Sequence, residues 1–319
     1  MRDLHVTEHF DPEAIEARVV RYGDLKPCYN AFIDTRSPGS EAKENFTIIG
    51  PGVSENPEQF VHIAEPHGYN IGGARQPPGC VNSQHSHNTA EVFVVHTGIW
   101  RFDLGEHGAD AQVVLHPGDV ISLPTNVFRG FTNVGETDGF LWAVLGEDDP
   151  GRVTWAPKVF EMAKDFGLIL LESGRLIDTT LGEMIPKGAR PMTPTSPAQV
   201  AALQRFTQAE AAKMVWRHAN TPGETPLIAP GAQFSWPHGF TLTHLQFSQD
   251  GTGERQSADA EVIFVQSGTL DMVWARGRVT LNTGDTLTVP ARLAHRYHGE
   301  GDSSAFIVRR GDRLEDIIA

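Results

Sequence analysis

Residues 79 to 98 read Gly79-Cys80-Val81-Asn82-Ser83-Gln84-His85-Ser86-His87-Asn88-Thr89-Ala90-Glu91-Val92-Phe93-Val94-Val95-His96-Thr97-Gly98, and they set the reading of the whole chain. The block Glu91 to Gly98 is β-branched and aromatic and ends on glycine, which predicts a strand and a turn. It recurs as Glu261-Val262-Ile263-Phe264-Val265-Gln266-Ser267-Gly268, at an offset of 170. Gly118-Asp119 and Pro124 follow the first copy, and Gly284-Asp285 and Pro290 follow the second at an offset of 166. A shorter hairpin in the second copy accounts for the difference. Two blocks recurring in the same order indicate an internal duplication.

His85, His87, Glu91, Phe93 and Val95 share one parity of an extended chain. Side chains of a strand alternate between faces, so both imidazoles and the carboxylate are expected on one side. That side continues into Phe93 and Val95, and burying polar groups beside core residues requires a compensating partner. Two imidazoles and one carboxylate are a donor set suited to Zn, Fe, Mn, Ni or Cu.

The spacing from Gly79 through His85, His87 and Glu91 to Gly98 resembles the first conserved motif of the cupin superfamily at every fixed position. The second cupin motif is matched less closely, as Gly118, Pro124, Asn126, Arg129 and Asn133. Asn126 stands where the family has glycine, a mild change because asparagine tolerates positive φ. Arg129 stands where the family has a fourth ligand, a histidine, and a guanidinium does not ligate metals. The resemblance therefore implies a three-residue metal set, His85, His87 and Glu91, for one divalent transition metal. Fe(II) comes first, since two histidines and a carboxylate serve non-haem Fe(II) oxygenases, with Mn, Zn or Ni as alternatives. Arg129 has two readings. It could clamp a substrate anion as a catalytic residue. It could instead pair with Glu91 and fill the vacant ligand position.

The second copy has diverged further. Arg255 and Ser257 occupy the positions of His85 and His87, while Glu261 and His295 remain. A structural role is expected, with Arg255 paired to Glu261. An anion pocket of Arg255, Arg292 and His295 is the alternative.

Strands are expected near 69–76, 91–96, 99–104, 111–115, 119–123, 127–133 and 139–145, with one more at Phe46–Ile49. Asp11-Pro12 predicts a helix to about Tyr22, Trp155 to Phe166 a second, and Ser196-Pro197 a third running to about His218. The fold class expected is mainly β: two tandem cupin-type antiparallel β-barrels, jelly-roll-like, with a few helices before and between them. The expected divisions are an N-terminal extension 1–60, a metal-binding barrel 61–150, a helical and Pro-rich connection 151–225, a degenerate barrel 226–310 and a tail 311–319.

Composition narrows the function classes. The 319 residues carry 26 Lys+Arg against 40 Asp+Glu, a net charge of −14. An acidic chain repels nucleic acid and anionic membranes. No stretch approaches the roughly 20 apolar residues of a spanning helix. Two cysteines, Cys28 and Cys80, fit a reducing compartment, so a cytoplasmic location is expected. Val92 and Val94 make the strand apolar on its second face too, which suggests a homodimer or larger assembly. The resemblance implies a metal-dependent enzyme at the first barrel, dioxygenase-like, oxidising a small organic acid or phenolic compound, its substrate anionic or aromatic. The alternatives are a non-catalytic cupin that senses a small acid, or an oxygen-independent isomerase or decarboxylase.

Overall fold

A computed structural model describes residues 10–247 and 251–311. The chain is mainly β, 41% strand and 10% helix. It divides into two compact units. The larger is Lys26–His218; the other joins the described residues up to Leu25 with those from Ala219 onward.

In the larger unit a seven-stranded sheet runs in the order Val215–Trp216, Val120–Leu123, Glu91–Thr97, Gly139–Gly146, Tyr69–Gln76, Glu44–Ile49, Val61–Ile63. A five-stranded sheet runs Thr154–Trp155, Val81–Ser86, Arg129–Asn133, Trp100–Leu104, Ala111–Leu115. Pairing is antiparallel except between Glu44–Ile49 and Val61–Ile63. The sheets are not joined by hydrogen bonds into a closed barrel, so the unit is a jelly roll of two layers. Between the layers lie Phe93, Phe102, Trp100 and Phe131, with Phe93 and Phe131 ring centroids 5.3 Å apart. Such rings bury large apolar areas and hold the layers together.

The other unit repeats the plan. Its six-stranded sheet runs Val19–Val20, Thr286–Val289, Glu261–Ser267, Ser304–Arg310, Phe240–Gln246, Gly223–Ile228, beside a three-stranded sheet of Gly277–Asn282, Thr269–Trp274 and His295–Gly299. Position by position, this order matches the first six strands of the seven-stranded sheet. The duplication seen in the sequence is therefore a duplication of topology.

The edge strands extend it. Val215–Trp216 caps Val120–Leu123, and Val19–Val20 caps Thr286–Val289. Each follows a short helix, Gln208–Lys213 or Pro12–Glu16. After each comes an arginine that clips the Gly-Asp turn of its sheet. Arg217 Nη1 donates to Asp119 at 2.6 Å and the His218 amide to the same carboxylate at 2.9 Å. Arg21 Nη1 donates to Asp285 at 2.7 Å and the Tyr22 amide at 3.0 Å. Residues 11–22 and 207–218 are thus a further repeated segment. In chain order, the arm that precedes each jelly roll packs on the other one.

These arms correct two helix expectations. The helix from Asp11 ends at Glu16, because the β-branched pair Val19-Val20 is taken into the sheet edge. The helix expected from Ser196 to His218 is two helices, Pro197–Ala201 and Gln208–Lys213. A second capping box, Thr207 with Glu210, restarts the chain. The helix at 155–166 forms as Pro157–Asp165. Strands form at all the expected places, and Val81–Ser86 is one more that the spacing did not mark.

Candidate metal centre

His85, His87 and Glu91 each offer a donor atom, all within 4.8 Å of one another, and all three residues are buried. They meet for a reason other than shared parity. His85 lies on Val81–Ser86 in the five-stranded sheet, Glu91 opens Glu91–Thr97 in the seven-stranded sheet, and His87 lies just past the end of the first strand. The chain crosses between layers at residues 87–90, and the three groups converge in the space between the sheets.

His85 Nδ1 donates to the carbonyl of Ser83 at 2.7 Å, which leaves Nε2 as a bare lone pair. His87 Nδ1 is buried with no hydrogen-bond partner, and His87 Nε2 lies 3.8 Å from Glu91 Oε2. Burial, and then the positive charge of Arg129, holds both imidazoles well below their usual range. Neutral imidazoles are the form that ligates a metal. The Trp155 indole covers His85, ring centroids 5.3 Å apart, and its Nε1 is tied to Glu55 Oε1 at 2.6 Å.

Arg129 pairs across the strands with His85. Its Nε and Nη2 both donate to Glu91 Oε2, at 3.2 and 2.5 Å, and Nη1 donates to the Val127 carbonyl at 3.2 Å. Burial pushes the Glu91 carboxyl up and the Arg129 guanidinium down, each opposed by the other's charge. The three ligand candidates line a cavity of about 80 Å³, and Arg129 does not line it. Phe32, Phe46, Phe93, Phe131 and Trp155 give that cavity aromatic walls. Asn45 and Gln59 supply polar groups. These two, and Glu55 behind Trp155, were not singled out from the sequence. Gln59 and Glu55 lie outside regular elements, and the expected strand Phe46–Ile49 begins one residue past Asn45, which the observed strand Glu44–Ile49 includes.

The second unit keeps the geometry with the residues exchanged. Arg255 bridges His295 as His85 pairs with Arg129. Arg255 does not pair with Glu261 as expected: it reaches the exposed Glu224, while Arg309 takes Glu261. Tyr297 Oη donates to Glu261 at 2.7 Å and His295 Nε2 lies 3.4 Å from it, and His295 first, then Arg309 and Tyr297, hold that carboxyl down at about 2 against the opposing cost of burial. Arg292 sits at φ 62, in the same turn position as Asn126 at φ 59. Its amide donates to the Ser257 carbonyl at 2.7 Å, as the Asn126 amide donates to His87 at 3.0 Å. Arg292 therefore serves the turn by its backbone.

The cupin-domain family profile matches residues 74–145 and 242–308, one stretch in each unit. The chain therefore carries two cupin domains, a bicupin arrangement. A germin-like protein of Arabidopsis thaliana, subfamily 1 member 7, is 35% identical over 88 residues, 26% of the bicupin and 38% of that relative's length. The bicupin thus spans well under half of that relative. Among solved structures, the bacterial pirin YhhW of Escherichia coli in complex with nickel(II) aligns with a TM-score of 0.51 at 11% identity, covering 92% of the bicupin and 99% of that chain. Oxalate decarboxylase of B. subtilis aligns with a TM-score of 0.51 at 13% identity, covering 92% and 77%. At such identities the likeness is one of fold. Among the described residues, no helix is long and apolar enough to cross a membrane.

Proposed function

We propose that the first cupin unit holds one divalent transition metal, Fe(II) foremost, on His85, His87 and Glu91, and oxidises a small organic compound in a dioxygenase-like reaction. The observation that carries this reading is the convergence of three buried donors on the wall of one cavity. The donor chemistry fits the ion. Both imidazoles are kept neutral, His87 Nδ1 is orphaned, and both guanidinium hydrogen bonds to Glu91 fall on a single oxygen. When bound, the ion would supply a redox centre and a template for oxygen and substrate. Ser83 fixes the tautomer of His85, as outer partners of metal-bound histidines do. Arg129 acts as a positioning residue: it orients Glu91 and offsets its charge. The aromatic walls exclude water.

A second reading is favoured by the same Arg129–Glu91 pair. A carboxylate already neutralised gains less from a dication, and the unit would then be a binding module without metal. Elemental analysis of protein purified without added metal separates the two, followed by oxygen uptake with Fe(II)-loaded protein. Close to one transition metal per chain is the expected result. Metal-free protein that takes up none on loading overturns the enzyme reading. The buried thiols of Cys28 and Cys80 support a cytoplasmic setting. Val92 and Val94 are fully buried within the single chain, which removes the apolar-face argument for a homodimer.

A further inference from the structure

The strand Val81–Ser86, which carries His85, pairs with Arg129–Asn133 along one edge and with Thr154–Trp155 at only His85 and Ser86 along the other. Residues 34–43 cover the rest of that second edge. The Val81 amide donates to the Gly39 carbonyl at 2.8 Å, Ser40 Oγ donates to the Val81 carbonyl at 2.7 Å, and the Ser83 amide donates to Asp34 Oδ2 at 2.9 Å.

One ion pair closes this segment on itself. Lys43 Nζ donates to Asp34 Oδ1, and both side chains are 0% exposed. Lys43 also donates to Asn82 Oδ1 at 3.3 Å and directly precedes Glu44–Ile49, a strand of the seven-stranded sheet. The pair therefore joins the two layers beside the candidate ligands. A buried ion pair is a poor stabiliser, because apolar residues of the same size often serve as well or better. Its geometry points to positioning instead. Asp34 holds Ser83, and the Ser83 carbonyl accepts from His85 Nδ1 at 2.7 Å. Asn82 cannot take that place. An ammonium has no acceptor, so Asn82 turns its oxygen to Lys43 and only its amide nitrogen to the ring, 3.3 Å from Nδ1.

We propose that Asp34 and Lys43 are positioning residues for His85: by fixing Ser83 they hold the imidazole in one orientation, with its proton on Nδ1 and Nε2 open for the ion. This deepens the metal reading above and rests on it for the ion, whereas the state of the ring stands on the hydrogen bonds alone.

The test compares the full chain with two double variants, Asp34→Leu with Lys43→Met and Asp34→Asn with Lys43→Met. Both remove the charges and free Asn82 equally, and only the second keeps an oxygen for the Ser83 amide. Circular dichroism and urea midpoints report whether each folds. Ring nitrogen NMR of chelated protein reads His85, whose signals are assigned by their absence in His85→Gln. The parent and the second variant should show a single Nδ1–H form, and the first variant more than one ring state. Co(II) affinity, read by absorbance, should fall roughly 10- to 100-fold in the first variant, the usual weight of an outer partner of a metal-bound histidine. The second variant should stay closer to the parent than to the first. A parent with its proton on Nε2 overturns the proposal whether or not the variants fold. So does a folded first variant with the parent's ring state and Co(II) affinity, or an equal loss in both variants. A parent that takes no Co(II) removes the metal reading and leaves this inference to the ring signals. Co(II) bound equally by all three, with one ring state throughout, keeps that reading and ends this one.

Discussion

Arg129 gives both Nε and Nη2 to a single oxygen of Glu91, at 3.2 and 2.5 Å, in a place where neither side chain is more than 6% exposed. A buried ion pair of this kind is far costlier to break than to replace. Arg129→Ala should therefore destabilise chelated protein by about 3–5 kcal/mol, because Glu91 is left buried and unpaired. Divalent metal should restore much of the loss, since the ion becomes the carboxylate's partner. Arg129→His should bind metal more tightly than the parent, by supplying the fourth ligand usual in the family. Thermal melts of parent and both variants, with chelator and with metal, check this. Equal melting shifts on metal addition in all three would contradict it.

Metal should depend on the first unit alone. In the second unit Glu261 is already held by Arg309 and Tyr297, and Arg255 and Ser257 stand in place of the paired histidines. His87→Ala is expected to remove most bound metal, and His295→Ala to leave it within about the scatter of parent preparations. Elemental analysis of both variants beside the parent is the measurement. Equal loss in both would end the one-site view.

The fold could be read from Glu91–Gly98 and its copy because a buried strand of β-branched and aromatic residues has few alternative fates. The grouping of His85, His87 and Glu91 could be read too, though for an incomplete reason. Parity along one strand placed His85 and Glu91 together, whereas the structure sets them on different sheets that face each other. Spacing carried the answer because the crossing at 87–90 has a fixed length. The arms were illegible for a different reason. Val19-Val20 and Val215-Trp216 are two residues long, too short for any periodic signal, and their strand state is imposed by Leu287 and Ile121 across the sheet edge. The choice between Arg129 as clamp and as partner of Glu91 depended on a side-chain direction that sequence does not encode.

The arm clips should be stabilising anchors of similar weight in both units. Asp119 accepts from the His116 amide, the His218 amide and Arg217. Asp285 accepts from the Asn282 amide, the Tyr22 amide and Arg21. Asp119→Ala and Asp285→Ala each orphan two backbone donors, and each should cost about 2–3 kcal/mol. Arg217→Ala removes a side chain that is 56% exposed, and should cost under about 1 kcal/mol. Urea unfolding, with limited proteolysis to locate the released arm, reads both effects. A larger loss from Arg217→Ala than from Asp119→Ala would refute the carboxylate as the anchor.

Glu55 should set a pH dependence of stability distinct from that of the candidate metal ligands. It is 6% exposed, and its two oxygens accept from Trp155 Nε1 at 2.6 Å and the Ile33 amide at 2.7 Å. Burial outweighs those hydrogen bonds and pushes its carboxyl up to about 8. In the unfolded chain the same group titrates near 4.3. Between these values the folded state holds a proton that the unfolded state has released, so stability falls as pH rises. Asp178 and Glu261, both held down at about 2, act in the opposite direction and only in acid. His238, lowered to about 4 by burial, and His85 and His87, lowered as well, add stability as pH rises through the unfolded histidine value near 6.5. That contribution is common to parent and Glu55→Gln, so in the window from about pH 6.5 to 8 the difference between the two isolates Glu55. Across it the parent should lose on the order of 2 kcal/mol from Glu55. Glu55→Gln should flatten that slope, at the cost of one mismatched hydrogen bond at every pH. Urea midpoints at half-unit pH intervals in chelated buffer compare the two. Parallel curves for parent and Glu55→Gln across the window would show that Glu55 is ionised in the folded protein and that its two hydrogen bonds outweigh its burial.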